Sequence, residues 1–304
     1  MSSMRILACF RVTPDYEALR ESAWSAAARR SLSSSGGAET GHDESAGARH
    51  DEIAGPAGFV DTRFVRRILD CFDESALELA LRLSDALVGL GVTSGLGALS
   101  VGTPDADPHL KTLLALGFER AARVHTEAAL DFAPAATAAV IAAYIRRLDR
   151  SDLLMLGARS GPGGDATVPF RVADELGWPC LTQATGVEPL ADGRLRVTVM
   201  TDDGLQRLTA RTPCVLAVGN AVVSHLRVPT LTDRLAVRDR RPDILEPADL
   251  GVDLTDALRR EGPSLTTLEG IDRRRQSILI EGDTPRAKAQ ALFDLRLKSL
   301  LEDL

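Results

Sequence analysis

From the N-terminus to Pro179, apolar residues along the chain follow two rhythms in turn. Three continuous runs of strand length, RILACF over 5–10, SGLGALSVG over 94–102 and SDLLMLG over 151–157, read as strands buried on both faces. Between them the spacing changes. In CFDESALELALRLSDAL (71–87), Phe72, Ala76, Leu79, Ala80 and Leu83 recur at helical intervals, which predicts an amphipathic helix capped by Asp73 or Ser75. Residues 105–127 predict a short helix running into another strand, and residues 133–148 a further helix. Strand alternating with helix at this spacing implies parallel β-α-β units with right-handed crossovers, whose ligands sit outside the carboxyl ends of the strands. Three places then converge on one crevice: the turn after Phe10, the helix start at Phe72 and the loop after Leu156.

That loop, LGARSGPGGDATVPFRVADELGWP (156–179), is glycine-rich and leads into a helix, a pattern suited to a phosphate because free N–H groups and the positive dipole end attract anions. Pro162 and Pro169 bring no donor, whereas Gly163, Gly164 and Thr167 keep theirs. Asp165 repels a phosphate if it points inward and is harmless facing solvent. A bound nucleotide and a plain helix start both remain open. Beyond Pro179 the pattern turns to period two, with Asp192-Gly193 and Asp203-Gly204 turns between alternating stretches, a β-meander extending the sheet.

Residues 31–58 contain almost no large apolar side chains and read as a mobile surface insertion, too poor in burial to offset its ordering entropy. His42 and His50 lie inside it among acids, and a solvated loop accounts for them better than a metal site. The net charge is -7, so nothing in the overall balance favours nucleic acid or an anionic membrane. Cys9, Cys71, Cys180 and Cys214 form no CxxC pair, which argues against zinc or a disulfide framework and reads as four small apolar residues in a reducing, cytoplasmic setting. Neither a signal peptide nor a run of ~18 apolar residues is visible, so no membrane span is expected.

In order and spacing the chain resembles the beta subunit of electron transfer flavoprotein, the FixA type. The resemblance rests on the opening RILACFRVTPD, then FDESALELALRL, LLALGFERAARV, DLLMLGARS with the later LGWP, TPCVLAVGNAVVSHLRVPTL, and the tail RRRQSILIEGDTPRAKAQALFDLRLKSLL. It implies a mostly parallel, Rossmann-like α/β sheet of the adenine nucleotide alpha hydrolase-like type flanked by helices, with an antiparallel meander and a C-terminal arm. Residues 1–240 would form the nucleotide-binding-type domain and 241–304 the arm contacting the alpha subunit. Members pair with an alpha subunit that holds FAD, many bind AMP in the beta subunit, and a subset holds a second FAD there and bifurcates electrons. The partners implied are that alpha subunit, a donating dehydrogenase and an accepting oxidoreductase.

The family's phosphate loop, in the style DxDxxQxG, falls on Pro162, Gly164, Thr167 and Pro169, so its four typical residues are absent. This leaves backbone amides and the Ser160 and Thr167 hydroxyls to hold a nucleotide, or a scaffold without cofactor. At the helix opening the usual Asn-Pro is Asp70-Cys71, while Phe72, Asp73 and Glu74 match. Those two acids also suit a helix dipole with no ligand at all. The cofactor-binding candidates are thus Cys9, Phe72, Asp73, Ser160, Gly163, Gly164, Asp165, Ala166, Thr167 and Val168. In the docking loop the family's NEPRY is replaced by residues 224–228, with only Arg227 kept, and Val222, Val223, Leu226 and Arg227 are the candidates for partner docking. His225 stands without a nucleophile pattern, and no GxSxG, HExxH or Walker sequence is present; the resemblance implies an electron carrier rather than an enzyme. A nucleotide-dependent hydrolase or ligase is the alternative from another class. SGPGGD (160–165) is superficially like its SGGxDS loop, but follows a late strand.

Overall fold

In a computed structural model the described residues are 3–18, 65–128, 130, 132–159, 166–222, 224–259, 279–298 and 301. A nine-stranded sheet runs in the order β11 (Asp243–Leu245), β5 (Arg120–His125), β4 (Thr93–Gly102), β1 (Ser3–Phe10), β6 (Leu153–Gly157), β10 (Cys214–Val218), β7 (Cys180–Pro189), β8 (Leu195–Thr201) and β9 (Gly204–Ala210), with β1 fourth, beside the central β6. The neighbours of β1 are β4, paired from Ser3 against Thr93 to Phe10 against Ser100, and β6. Strand β5 lies outside β4, and β10 lies between β6 and β7; all these pairs are parallel. The expected meander follows as β8 and β9, antiparallel to β7 and to each other.

Alternate residues of β1 feed two cores. Met4, Ile6, Ala8 and Phe10 pack with helices α1 (Cys71–Gly89) and α2 (Asp107–Ala115), whereas Leu7 and Cys9 pack with α3 (Pro134–Tyr144) and α4 (Val168–Leu176). Helix α1 buries Leu77 and Leu83 completely, each contributing roughly 1.5–3 kcal/mol. From β1 the chain moves through α1 to β4 and through α2 to β5, and then α3 carries it back across to β6. The reversal places a topological switch point between the carboxyl ends of β1 and β6, where such sheets bind ligands.

A short antiparallel ribbon, β2 (Val12–Pro14) against β3 (Arg67–Leu69), joins β1 to α1 and brings Asp15 N–H to the carbonyl of Arg66 at 2.9 Å. The insertion read at 31–58 lies outside the described residues. The cap of α1 corrects the sequence expectation: it is Asp70, in extended backbone with φ -63° and ψ 138°, whose carboxylate accepts the Phe72 N–H at 3.3 Å. Asp73 is committed elsewhere, and Ser75 donates to the Cys71 carbonyl within the helix. Cys71 is exposed on the first turn, unlike buried Cys9 and Cys214.

After β10 the chain runs through residues 219–230 to α5 (Leu231–Ala236). Past residue 240, where the sequence suggested an arm, it first adds β11 (Asp243–Leu245) parallel to β5 at the far edge, and then the short helix α6 (Leu254–Arg259). The chain divides into one compact unit ending at Leu268 and a second beginning at Glu269. In the second, Thr284 caps α7 (Pro285–Leu292) by accepting the Ala287 N–H at 3.1 Å, and Leu292, Leu295, Leu297 and Leu301 are exposed. Among the described residues no helix is long and apolar enough to cross a membrane.

Candidate functional site

At the switch point one carboxylate gathers the three segments the sequence expected to meet. Asp73 Oδ2 accepts the N–H of Arg11, just past β1, at 2.8 Å, and Asp73 Oδ1 accepts the N–H of Gly157, the last residue of β6, at 2.7 Å. Hydrogen bonds to an ionised acceptor are about twice as strong as neutral ones, so the first turn of α1 is pinned to both strand ends. Gly157 is required by this approach. A Cβ there would stand 2.7 Å from Asp73 Oδ1, 2.9 Å from Phe72 Cβ and 3.0 Å from the Asp73 backbone nitrogen.

The crevice above this junction is lined by Cys9, Leu99, Val101, Ile141, Leu156, Val168 and Pro169, with Arg11, Asp73, Thr137 and Arg159 as polar members. Burial first, and the neighbouring Asp70 charge second, push Asp73 from 3.8 to about 7, against the pull of its two amide bonds and the Arg11 charge. Burial, then the Asp73 and Asp149 charges, push the Cys9 thiol well above its usual range, which keeps it a neutral, apolar-like wall.

Two helix N-termini reach the crevice, and they differ. The start of α1 carries Asp70, Asp73 and Glu74, so its positive end is met by the chain's own carboxylates. The start of α4 has no acid in its first turn, and its Thr167 makes no side-chain cap bond to the helix backbone. It is the end of the crevice suited to an anion.

Of the cofactor candidates, Cys9, Asp73 and Val168 line the crevice, and half-buried Phe72 backs Gly157. Ala166 is half-buried and Thr167 exposed at the start of α4. Ser160, Gly163, Gly164 and Asp165 lie outside the described residues. The residue-level reading missed Arg11, Gly157, Leu99, Ile141 and Arg159. For Arg11, Leu99, Gly157 and Arg159 the available signal was topological, since residues at or just past the carboxyl ends of β1, β4 and β6 line such a site; Ile141, inside α3, had none.

In the loop after β10, Val222 is 92% exposed, and Val223 lies outside the described residues. Leu226 is half-buried against the core, and its N–H donates to Glu74 Oε1 at 3.0 Å. Arg227 is held within the chain. Its backbone N–H donates to Glu78 Oε2 at 3.1 Å, its guanidinium meets Glu78 at 3.0 Å and its Nη1 donates to Asp85 at 2.9 Å. Burial alone would raise the Glu78 carboxyl, but the bonds from Arg227 and Arg82 outweigh it and hold the group below its ordinary value.

A doubly wound parallel sheet and a switch-point crevice with apolar walls define an α/β protein whose candidate ligand site lies beyond the carboxyl ends of β1 and β6. Comparison with known proteins narrows this. The electron transfer flavoprotein domain family matches residues 59–239. An Escherichia coli strain K12 protein named "Putative electron transfer flavoprotein subunit YgcR" is 30% identical over 98% of this chain and 100% of its own length. The human electron transfer flavoprotein subunit beta is 27% identical over 73% of this chain and 83% of its own. The acryloyl-CoA reductase electron transfer subunit gamma of Anaerotignum propionicum is 29% identical over 53% and 59%. The chain belongs to the electron transfer flavoprotein family and is of the beta-subunit type, with a role in electron transfer.

Proposed function

We propose that the chain is the beta subunit of a heterodimeric electron transfer flavoprotein, relaying electrons from a dehydrogenase to an acceptor oxidoreductase, with FAD held mainly by the alpha subunit and an adenine nucleotide, AMP, in the switch-point crevice. The observation that carries the nucleotide reading is the meeting of the β1 end, the β6 end and the α1 start at Asp73, beside the acid-free start of α4. The residues present fit such a ligand: Leu99, Ile141 and Leu156 offer apolar contact to a planar ring, and Arg159 with the amides at the start of α4 offers donors to a phosphate.

FAD, when bound, supplies the redox chemistry. The chain's own residues do the rest. Asp73 ties the crevice floor together, the apolar walls exclude water, and Glu74 and Glu78 hold the loop that presents Val222 to a redox partner. The exposed leucines of the second unit support a role for that unit, the C-terminal part of the arm expected over 241–304, in contacting the alpha subunit. Co-expression with a family alpha subunit, followed by an absorbance spectrum and nucleotide extraction, tests the whole. One flavin and one AMP per heterodimer is the expected result. No flavin would overturn the electron-carrier reading, and one flavin without AMP would overturn the nucleotide.

A further inference from the structure

The Arg11 and Gly157 amides at the switch point are already taken. Each oxygen of the Asp73 carboxylate receives a backbone N–H, from Arg11 at 2.8 Å and from Gly157 at 2.7 Å, while the same side chain lines the crevice. A nucleotide phosphate in that crevice therefore shares an apolar-walled space with a carboxyl group that is negatively charged above about pH 7. Two like charges so placed cannot both stay ionised without a large cost, and the carboxylate is the one able to neutralise.

We propose that Asp73 is a proton-linked gate of the crevice: an anionic nucleotide binds together with one proton from solvent, which Asp73 takes up. The inference rests on the nucleotide reading above and adds to it how the site accepts charge. No covalent bond changes; the carboxylate becomes a carboxylic acid and the proton comes from the buffer. Both hydrogen bonds to the carboxylate come from N–H donors, so the new O–H finds its acceptor in the ligand, at a phosphate or ribose oxygen.

Among the charged surroundings Asp70 favours the neutral acid and Arg11 opposes it, with burial and Asp70 prevailing. Asp70, at the cap of the same helix, adds negative charge. From β1 and the turn after it come Cys9, held neutral, and Arg11, and past β6 comes Arg159. The remaining walls contribute apolar side chains and the Thr137 hydroxyl. With its carboxyl already raised to about 7, Asp73 is poised to change state under a modest added potential.

The test is calorimetry of AMP binding to the full-length chain freed of nucleotide, at pH 7.5 and 8.5, in two buffers of different ionisation heat. In this range the phosphate has lost its second proton, whose pKa is about 6. The expected result is uptake of a proton approaching one per AMP at the higher pH, with affinity falling up to about tenfold between the two. Asp73→Asn should abolish both the uptake and the pH dependence. Asp70→Asn, which keeps a good helix cap, should shift the uptake curve to lower pH and stands in if the first variant does not fold. AMP binding without proton uptake in the wild type, or uptake unchanged in Asp73→Asn, overturns the gate and leaves the nucleotide reading intact. No binding at any pH overturns both.

Discussion

Replacing Gly157 by alanine adds a single methyl group at the point where three chain segments meet. Its Cβ would lie 2.7 Å from Asp73 Oδ1, 2.9 Å from Phe72 Cβ and 3.0 Å from the Asp73 nitrogen, whereas ordinary contact begins at 3.4 Å. Two of the three obstacles belong to or adjoin the α1 backbone, so relief requires the helix start to retreat by roughly half an ångström. Overpacking of this kind costs about 1–3 kcal/mol. The retreat also stretches the 2.7 Å bond from the Gly157 N–H to Asp73, a bond to a charged acceptor with a net worth of about 1.5–3 kcal/mol. A partial loss of the second term brings the total to roughly 2–4 kcal/mol. Urea denaturation of the purified chain measures it. Gly89→Ala is the control, since a Cβ there meets nothing within 4 Å and alanine in place of helical glycine should stabilise by about 0.5–1 kcal/mol. If Gly157→Ala were as stable as the wild type, the close junction at Asp73 would be wrong.

Glu78→Ala should release the loop after β10, because that buried carboxylate holds both the backbone and the guanidinium of Arg227; after discounting for the partly exposed arginine we expect a loss of about 1–3 kcal/mol, and amide exchange at Arg227 unchanged from wild type would refute the clamp. Asp73 titrates with a folded value raised from 3.8 to about 7, so its contribution to stability is complete below 3.8 and is lost as pH climbs towards 7. Asp73→Asn should therefore gain on the wild type by up to about 3 kcal/mol between pH 5 and 7 and no further above pH 8, and a difference flat across this range in urea melts would contradict the assignment. Truncation after Gly282 removes α7 and its exposed leucines, and the truncated chain should recover less alpha subunit on co-purification; full recovery would remove this segment from the interface.

The strands and helices around the crevice were legible along the chain because their signals are local. The run at 151–157, the helical spacing of Phe72, Ala76, Leu79, Ala80 and Leu83, and the Asp-Gly turns of the meander each report burial or backbone geometry within a few residues, and each appears at the expected place. Alternation of strand and helix was enough to bring the turn after Phe10, the start of α1 and the end of β6 to one edge of the sheet. What each side chain does there was not legible. Asp73 in a first helical turn reads as a cap or a complement to the dipole, yet its partners are amides 62 and 84 positions away, delivered by β1 and β6, and the capping falls to Asp70. Arg227 reads as an exposed docking residue until folding sets it against Glu78, 149 positions distant. Residues 243–245 read as the beginning of an arm until β5 offers them an open edge. Periodicity encodes which face of an element is buried, since that depends on spacing along one segment. The partner of a buried charge depends on which distant donors the packed sheet brings within 3 Å, and only the tertiary structure decides that.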